Sequence, residues 1–370
     1  YKIVVVDGIG VRSIEKPSVG KYTYSATYKG TDKISRAVDT GVFEVMPVDY
    51  NVILNAPDVK MIYHDGTRFT ATLTDEKGNP IRDAAIEITI NGRSYDKITD
   101  EKGGVSLGLN LDSGIYSVVV KFKGLPNYSP ITKHANVTIE PTVKGLDVVK
   151  MFRNSTQYYA IFTDSQGNFL KNKNVQFNIN GVFYTKTTND KGIAMMGINL
   201  NPGKYVITVI NLVTGEQSSN IITVKSLIVQ KDLTKYYLNA SRFQTTIYNK
   251  DGSLAVNKEV TFNINGVFYH RTTDSNGVAS LGISLRPGEY IITTMFDGLA
   301  IGNKVTVLPT LVTKNLNMKY LDGSSFTAQT LNGQGKPLTN QNVSFNVNGV
   351  FYYKVTDNNG MAKLNIRLMP

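Results

Sequence analysis

Along most of the chain apolar and polar residues alternate one for one in runs of about six to ten, and clusters of Gly, Asn, Asp and Pro break the runs. Val175, Phe177 and Ile179 fall on one side of such a run, with Gln176, Asn178 and Asn180 on the other. A period of two is that of a strand with one buried face. Val260, Phe262 and Ile264 repeat it, and Ala279, Leu281, Ile283 and Leu285 line a later strand in the same way. The pattern predicts an all-β chain of short strands with almost no helix.

The runs recur as a unit. IEITINGRSYDKITDEKGGVSLGLNL from Ile86 aligns with VQFNINGVFYTKTTNDKGIAMMGINL from Val175, VTFNINGVFYHRTTDSNGVASLGISL from Val260 and VSFNVNGVFYYKVTDNNGMAKLNIRL from Val343. The spacing, about 83 to 89 residues, is too long for a solenoid turn and suits one small sandwich of about seven strands per repeat. Asn-Gly pairs at Asn91, Asn180, Asn265 and Asn348 supply the two positive-φ residues of a tight hairpin. A second turn lies around Gly104, Gly192, Gly277 and Gly360, and a third at Ser113-Gly114, Pro202-Gly203 and Pro287-Gly288. The third turn leads into strands opened by Tyr116, Tyr205 and Tyr290, the placement of the tyrosine corner in Greek-key sandwiches.

Phasing the repeats divides the chain into residues 1–51, read as the closing strands of a preceding module, then modules at 52–141, 142–226 and 227–309, and an incomplete module at 310–370. The last one reaches Leu368-Met369-Pro370 where its closing strands are due. Junctions such as VTIEPTVKGLDVVK around Pro141 and VTVLPTLVTKNLNMK around Pro309 pass from strand to strand without a Gly/Ser linker, which predicts an elongated rod. Unfinished end modules expose strand edges, so head-to-tail self-association by strand exchange is a further expectation.

With no cysteine, the chain has no disulfide staple, thiolate zinc site or cysteine nucleophile. The net charge of +11 is spread along the whole length without a dense basic run, which argues against a nucleic-acid groove and suits an anionic polymer or simple solubility. No run approaches the roughly 20 apolar residues of a membrane span, so this segment is not expected to insert directly.

Catalytic parts are hard to assemble. His64, His134 and His270 share no common repeat position. Asp100, Asp190, Asp274 and Asp357 sit in turns, where Asp bonds its own backbone. Oxygen clusters at Asp164, Asp251 and Asp357 offer one carboxylate each, too few for calcium. Neither an enzyme nor a metal or other cofactor is expected.

Three recurrences are candidates for binding or modification. Tyr95 with Lys97, Tyr184 with Lys186, Tyr269 with Arg271 and Tyr352 with Lys354 stand two apart on strands and share a face. They form either a ladder for sugar rings and acidic groups, or tyrosines packed on their own sandwich with a cation at the rim. Lysines Lys60, Lys150, Lys235 and Lys319 near the module starts, with late Asn136, Asn220 and Asn303, are candidate partners for intramolecular isopeptide bonds. That chemistry needs a buried lysine of lowered pKa and an acid, and no suitable acid is seen to recur. Sequons mark Asn136, Asn154, Asn239 and Asn342 as candidate N-glycosylation sites.

The unit FNINGVFYTKTTNDKGIAMMGINLNPGKYVITV, with FTDSQGNFLKNKNV upstream, resembles the adhesin-like proteins of methanogenic archaea, whose bacterial Ig-like repeats are similar to the modules of invasin and intimin. The likeness is fullest from about residue 142, weaker over 52–141, and confined to the part after Pro17 in the N-terminal stretch. It implies tandem immunoglobulin-like β-sandwich modules, display outside the cell at its surface, and attachment to a host or neighbouring cell, a glycan or a wall polymer. It is equally compatible with a stalk that only spaces a binding tip.

Overall fold

The computed structural model describes residues 2–11, 13, 17–46 and 50–367; Leu368–Pro370, where the closing strands of the last module are due, lie outside them. Among the described residues the regular structure is entirely β, in strands of three to ten residues.

The second module shows the plan. One sheet orders Val143–Gly145, Gln157–Phe162 and Ile193–Gly197. The other orders Val148–Met151, Gln217–Lys225, Gly203–Ile210, Asn174–Ile179 and Val182–Thr187. The module therefore has eight strands where the pattern suggested about seven. Its opening strand breaks at Leu146-Asp147: the first half pairs antiparallel with Gln157–Phe162, and the second half crosses to pair parallel with Gln217–Lys225. That crossing ties the two sheets together along one side of the sandwich, while Val182–Thr187 and Ile193–Gly197 are the open edges of the other side. The modules on either side repeat both sheets in the same order, and this is the two-sheet arrangement of an immunoglobulin-like domain.

The alternation buries what it was expected to bury. Val175, Phe177 and Ile179 are at most 4% exposed. Phe177 meets Tyr158 and Phe162 edge to face, with centroids 5.8 and 6.3 Å apart. Phe243 with Phe262 and Phe326 with Phe345 repeat this packing in later modules. Each such ring contributes about 2–3 kcal/mol of burial, plus a smaller term for its geometry. The apolar cores of the second and third modules join into one cluster, whereas the first and fourth have separate ones.

Turn chemistry sets strand register. Asn180 and Gly181 take φ of 53° and 79°, the conformation of a type I′ hairpin. Tyr116, Tyr205 and Tyr290 each donate their hydroxyl to the carbonyl four residues upstream at 2.8 Å. Tyr22 does the same to Ser18, so the N-terminal hairpin Gly20–Tyr28 with Ala37–Val45 has the form of the closing hairpin of a module. In the fourth module, among the described residues, Asn342–Val347 pairs with Val350–Val355 alone, beside an apolar cleft of about 740 Å³ lined by Met318, Phe326, Phe345 and Ile366.

Successive modules are joined by two residues each. Pro141-Thr142, Ser226-Leu227 and Pro309-Thr310 separate the last strand of one module from the first of the next.

Candidate functional site

The Tyr/basic pairs lie on the edge strand of each five-stranded sheet and, in the fourth module, on Val350–Val355 of the two-stranded sheet. Tyr184 stands opposite Phe177 and Lys186 opposite Val175, so both side chains are on the inner face of the sheet, at the open seam of the sandwich. Tyr269 and Arg271 stand likewise opposite Phe262 and Val260, with the guanidinium 5.9 Å from the Tyr269 ring centre. Tyr95 and Lys97 face Ile88 and Ile86; Tyr352 and Lys354 face Phe345 and Val343. Tyr95 and Tyr269 pack against the cores, while Tyr184 and Tyr352 keep 41% and 40% exposure. In the second module Tyr184, Lys186, Met196, Ile198 and Leu200 line a groove of about 260 Å³. A phenol face, an ammonium group and a strip of strand backbone can hold a sugar ring there. The outer face of the same strands presents Phe183, Phe268 and Phe351, all exposed.

The lysine–asparagine set is corrected by register. Lys150 and Lys235 are buried, and each amine donates to two main-chain carbonyls: Thr156 (3.1 Å) and Ile198 (2.8 Å), and Ser241 (3.2 Å) and Ile283 (2.8 Å). Burial pushes both amines below the ordinary lysine pKa. Lys60 and Lys319 are exposed and miss that position, which Met61 and Met318 occupy, by one residue: Lys60 falls one before it and Lys319 one after. Lys150 pairs with Val224 and Lys235 with Val307, each four positions past Asn220 or Asn303, so amine and carboxamide stand about 13 Å apart along the strand. Asn136 is one residue past the position of Asn220, and exposed.

An acid does recur beside these asparagines. Asp58, Asp147 and Asp232 precede the parallel strand, and each accepts a backbone N–H of the last strand: Asn136 (2.7 Å), Ile221 (2.8 Å) and Lys304 (2.9 Å). Asp232 also takes the Asn303 amide at 2.7 Å; that bond, then the Lys304 N–H, holds its carboxyl below the usual range. Asn220 accepts the Tyr158 hydroxyl at 2.6 Å, whereas Asn303 accepts the Gln230 amide at 2.8 Å. Tyr158 corresponds to Phe243 and Gly145 to Gln230, so one module supplies the donor from a phenol and the next from a glutamine. A Cβ at Gly145 would lie 2.1 Å from the Tyr158 hydroxyl, which explains why the two solutions exclude each other.

The turn acids serve their turns. Asp100, Asp274 and Asp357 each accept two backbone N–H bonds within their own loop. In the second module Asn189 does this, and Asp190 is the next residue along. Asp164 and Asp251 are likewise engaged by their own loops, and among the described residues no three His, Cys, Asp or Glu side chains gather as a metal site. His64 bonds Asn110 and His270 lies beside Glu259, both exposed. Of the sequon asparagines, Asn136 and Asn342 are exposed, whereas Asn154 and Asn239 are half-buried where modules meet.

One recurrence escaped the sequence pattern. Thr99, Thr188, Thr273 and Thr356 are at most 2% exposed, and each hydroxyl donates to one backbone carbonyl and accepts one backbone N–H from the loop before it. The signal was a threonine two residues beyond every Lys97-type cation, hidden among many surface threonines.

Among the described residues no helix is long and apolar enough to cross a membrane. No family model matches the chain. Among solved structures, the chain is similar to a titin I9–I11 tandem at 13% identity and TM-score 0.25, covering 70% of this chain and 99% of that one. It is similar to a Ca²⁺-stabilised adhesin with which an Antarctic bacterium binds ice, at 15% identity and TM-score 0.19, covering 86% and 91%. A third similar structure is the SGBP-B protein of a Bacteroides ovatus mixed-linkage glucan utilization locus, at 12% identity and TM-score 0.21, covering 72% and 70%.

Proposed function

We propose that the chain is a non-catalytic stalk or adhesin segment displayed outside the cell, spacing or presenting a contact with a cell surface, glycan or wall polymer. The observation that carries this reading is the joining of whole sandwiches through two-residue connectors, which converts a string of domains into an extended object. The absence of linkers sets reach: each module adds its full length. The repeat resemblance to methanogen adhesin-like proteins and to invasin-type Ig-like repeats supports the same reading. The test is retention of the chain, coupled to beads, on intact cells and isolated wall polymer, with sugar release measured in parallel. A stalk or adhesin gives an extended particle in solution scattering and no sugar release; catalytic turnover of the polymer overturns the reading.

A second reading makes glycan binding the main activity, and the groove formed by Tyr184, Lys186 and Met196 favours it. Retention on wall polymer that disappears in the Tyr184→Ala, Tyr269→Ala double variant supports this form. Retention unaffected by both substitutions assigns the binding elsewhere.

A further inference from the structure

At the tip of each module the chain turns through a residue of positive φ, namely His64, Arg153 or Leu238, followed by Asp65, Asn154 or Asn239. The second residue closes the turn with its side-chain oxygen. Asn154 Oδ1 accepts the Thr156 N–H and Asn239 Oδ1 the Ser241 N–H, both at 2.8 Å. This fixes which end of each amide is nitrogen, and the nitrogen points at the next module. Asn154 Nδ2 donates to the Lys250 carbonyl at 2.7 Å, and Asn239 Nδ2 donates to the Gly333 carbonyl. Lys250 and Gly333 hold equivalent places in the loops Asn249–Gly252 and Asn332–Gly335.

Beside the amide, a side chain of the same tip sits on the glycine of that loop. Met151 lies against Gly252, and Tyr236 covers Gly335 so closely that a Cβ there would be 2.4 Å from its ring. The joint between second and third modules has more: Arg153 donates to the Asp297 carbonyl at 3.2 Å, and its guanidinium lies over Gly298, where a Cβ would be 2.5 Å away. The apolar cores on the two sides of this joint form one cluster.

The first joint keeps the contact over the loop glycine, through Ile62, and lacks the amide and guanidinium donors. Asp65 closes the same turn, accepting Ile62 and Thr67 N–H groups at 2.8 and 2.7 Å, and those bonds hold it in the acceptor-only carboxylate form. His64, in the place of Arg153, bonds back to Asn110 of its own module at 3.0 Å. What crosses is Ile62 over Gly167 and an exposed Glu140–Lys144 ion pair at 3.5 Å, a contact of little strength in water. The core of the first module is a separate cluster.

We propose that the rod has graded stiffness set by this one tip position: asparagine clasps the next module, and aspartate leaves a hinge. The joint after residue 141 bends, and the joints after Ser226 and Pro309 are held. The inference concerns the mechanics of the array and stands whatever the array binds. It also gives the sequons at Asn154 and Asn239 a structural origin, since a Ser or Thr two residues on belongs to the turn that the asparagine closes.

The chain contains no cysteine, so introduced pairs carry spin labels at unique sites. Exposed Asp96, Thr185 and Thr272 serve: the pair Asp96→Cys with Thr185→Cys reports the first joint, and Thr185→Cys with Thr272→Cys the second. Electron–electron distance distributions are expected to be at least about twice as wide for the first joint. Asn154→Asp removes the donor and keeps the acceptor, and Asp65 and Asp322 show that the turn accepts aspartate. One net hydrogen bond shifts a docked-to-undocked ratio by about five-fold. Asn154→Asp is therefore expected to widen the second distribution with the urea midpoint of the modules unchanged, and Asp65→Asn to narrow the first. Equal widths in the parent chain, or a second distribution untouched by Asn154→Asp, overturn the proposal.

Discussion

Thr188 offers a sharp test of how each sandwich is held. Its hydroxyl donates to the Leu170 carbonyl at 2.6 Å and accepts the Lys173 N–H at 3.0 Å, pinning the crossing between the two sheets from a position 1% exposed. Thr188→Val keeps the shape and removes both bonds. Two bonds of about 1 kcal/mol each, plus the cost of leaving a buried carbonyl and N–H poorly paired, come to about 3 kcal/mol. For a unit of this size the loss lowers the melting temperature by about 12–24 °C. Urea titration, with hydrogen exchange at the amides of Asn174–Ile179 to assign the transition, is the assay. Thr185→Val on the exposed face is the control, expected within about 0.5 kcal/mol of the parent. Thr188→Ser retains the hydroxyl and is expected to recover more than half of the loss. A Thr188→Val destabilisation below about 1 kcal/mol refutes the reasoning, because it would mean that solvent reaches the orphaned groups.

The exchange between Tyr158 with Gly145 and Phe243 with Gln230 predicts strong coupling: Tyr158→Phe costs about 1–2 kcal/mol, Gly145→Gln alone clashes, and the double variant is more stable than the sum of the singles predicts. Additive effects in denaturant titrations would refute it. Burial, and then the charge of Asp147, raises the Tyr158 phenol from an ordinary pKa near 10 to about 12. A raised folded pKa makes its stabilising contribution complete below pH about 10 and lost as pH climbs through about 12. Ultraviolet titration should therefore show a late tyrosine ionisation that is absent in Tyr158→Phe. Lys186 and Arg271 put a cation on the inner side of an edge strand, where adding another strand would desolvate it. The Lys186→Val, Arg271→Val double variant should self-associate in sedimentation velocity at concentrations where the parent does not; unchanged sedimentation assigns these cations no guarding role.

The alternation of Val175, Phe177 and Ile179 was enough to read the inner face, and the Asn-Gly pairs were enough to read the hairpins, because both depend on local geometry. The lysines were not legible in the same way. Lys60 and Lys319 look like repeats of Lys150, but the face of a strand is decided by register, and one residue of offset turns the side chain from core to solvent. Asp58, Asp147 and Asp232 leave no local pattern, because the partner of each is a backbone N–H more than seventy residues away. The broken opening strand was also invisible, since each half is only three or four residues long and alternates like any other. The joints were legible as short connectors, whereas the asparagine clasps were masked by reading the same residues as glycan acceptors.

The parallel pairing of Val148–Met151 with Gln217–Lys225 has a mechanical consequence. Tension enters a module through Val143–Gly145, reaches the base of Val148–Met151 and leaves at the tip of Gln217–Lys225, so these two parallel strands are pulled in opposite senses along their length. Every bond between them is then loaded at once, and none can be peeled open ahead of the rest. A tether built this way yields abruptly, module by module, under a load that an end-on unzipping hairpin would not withstand.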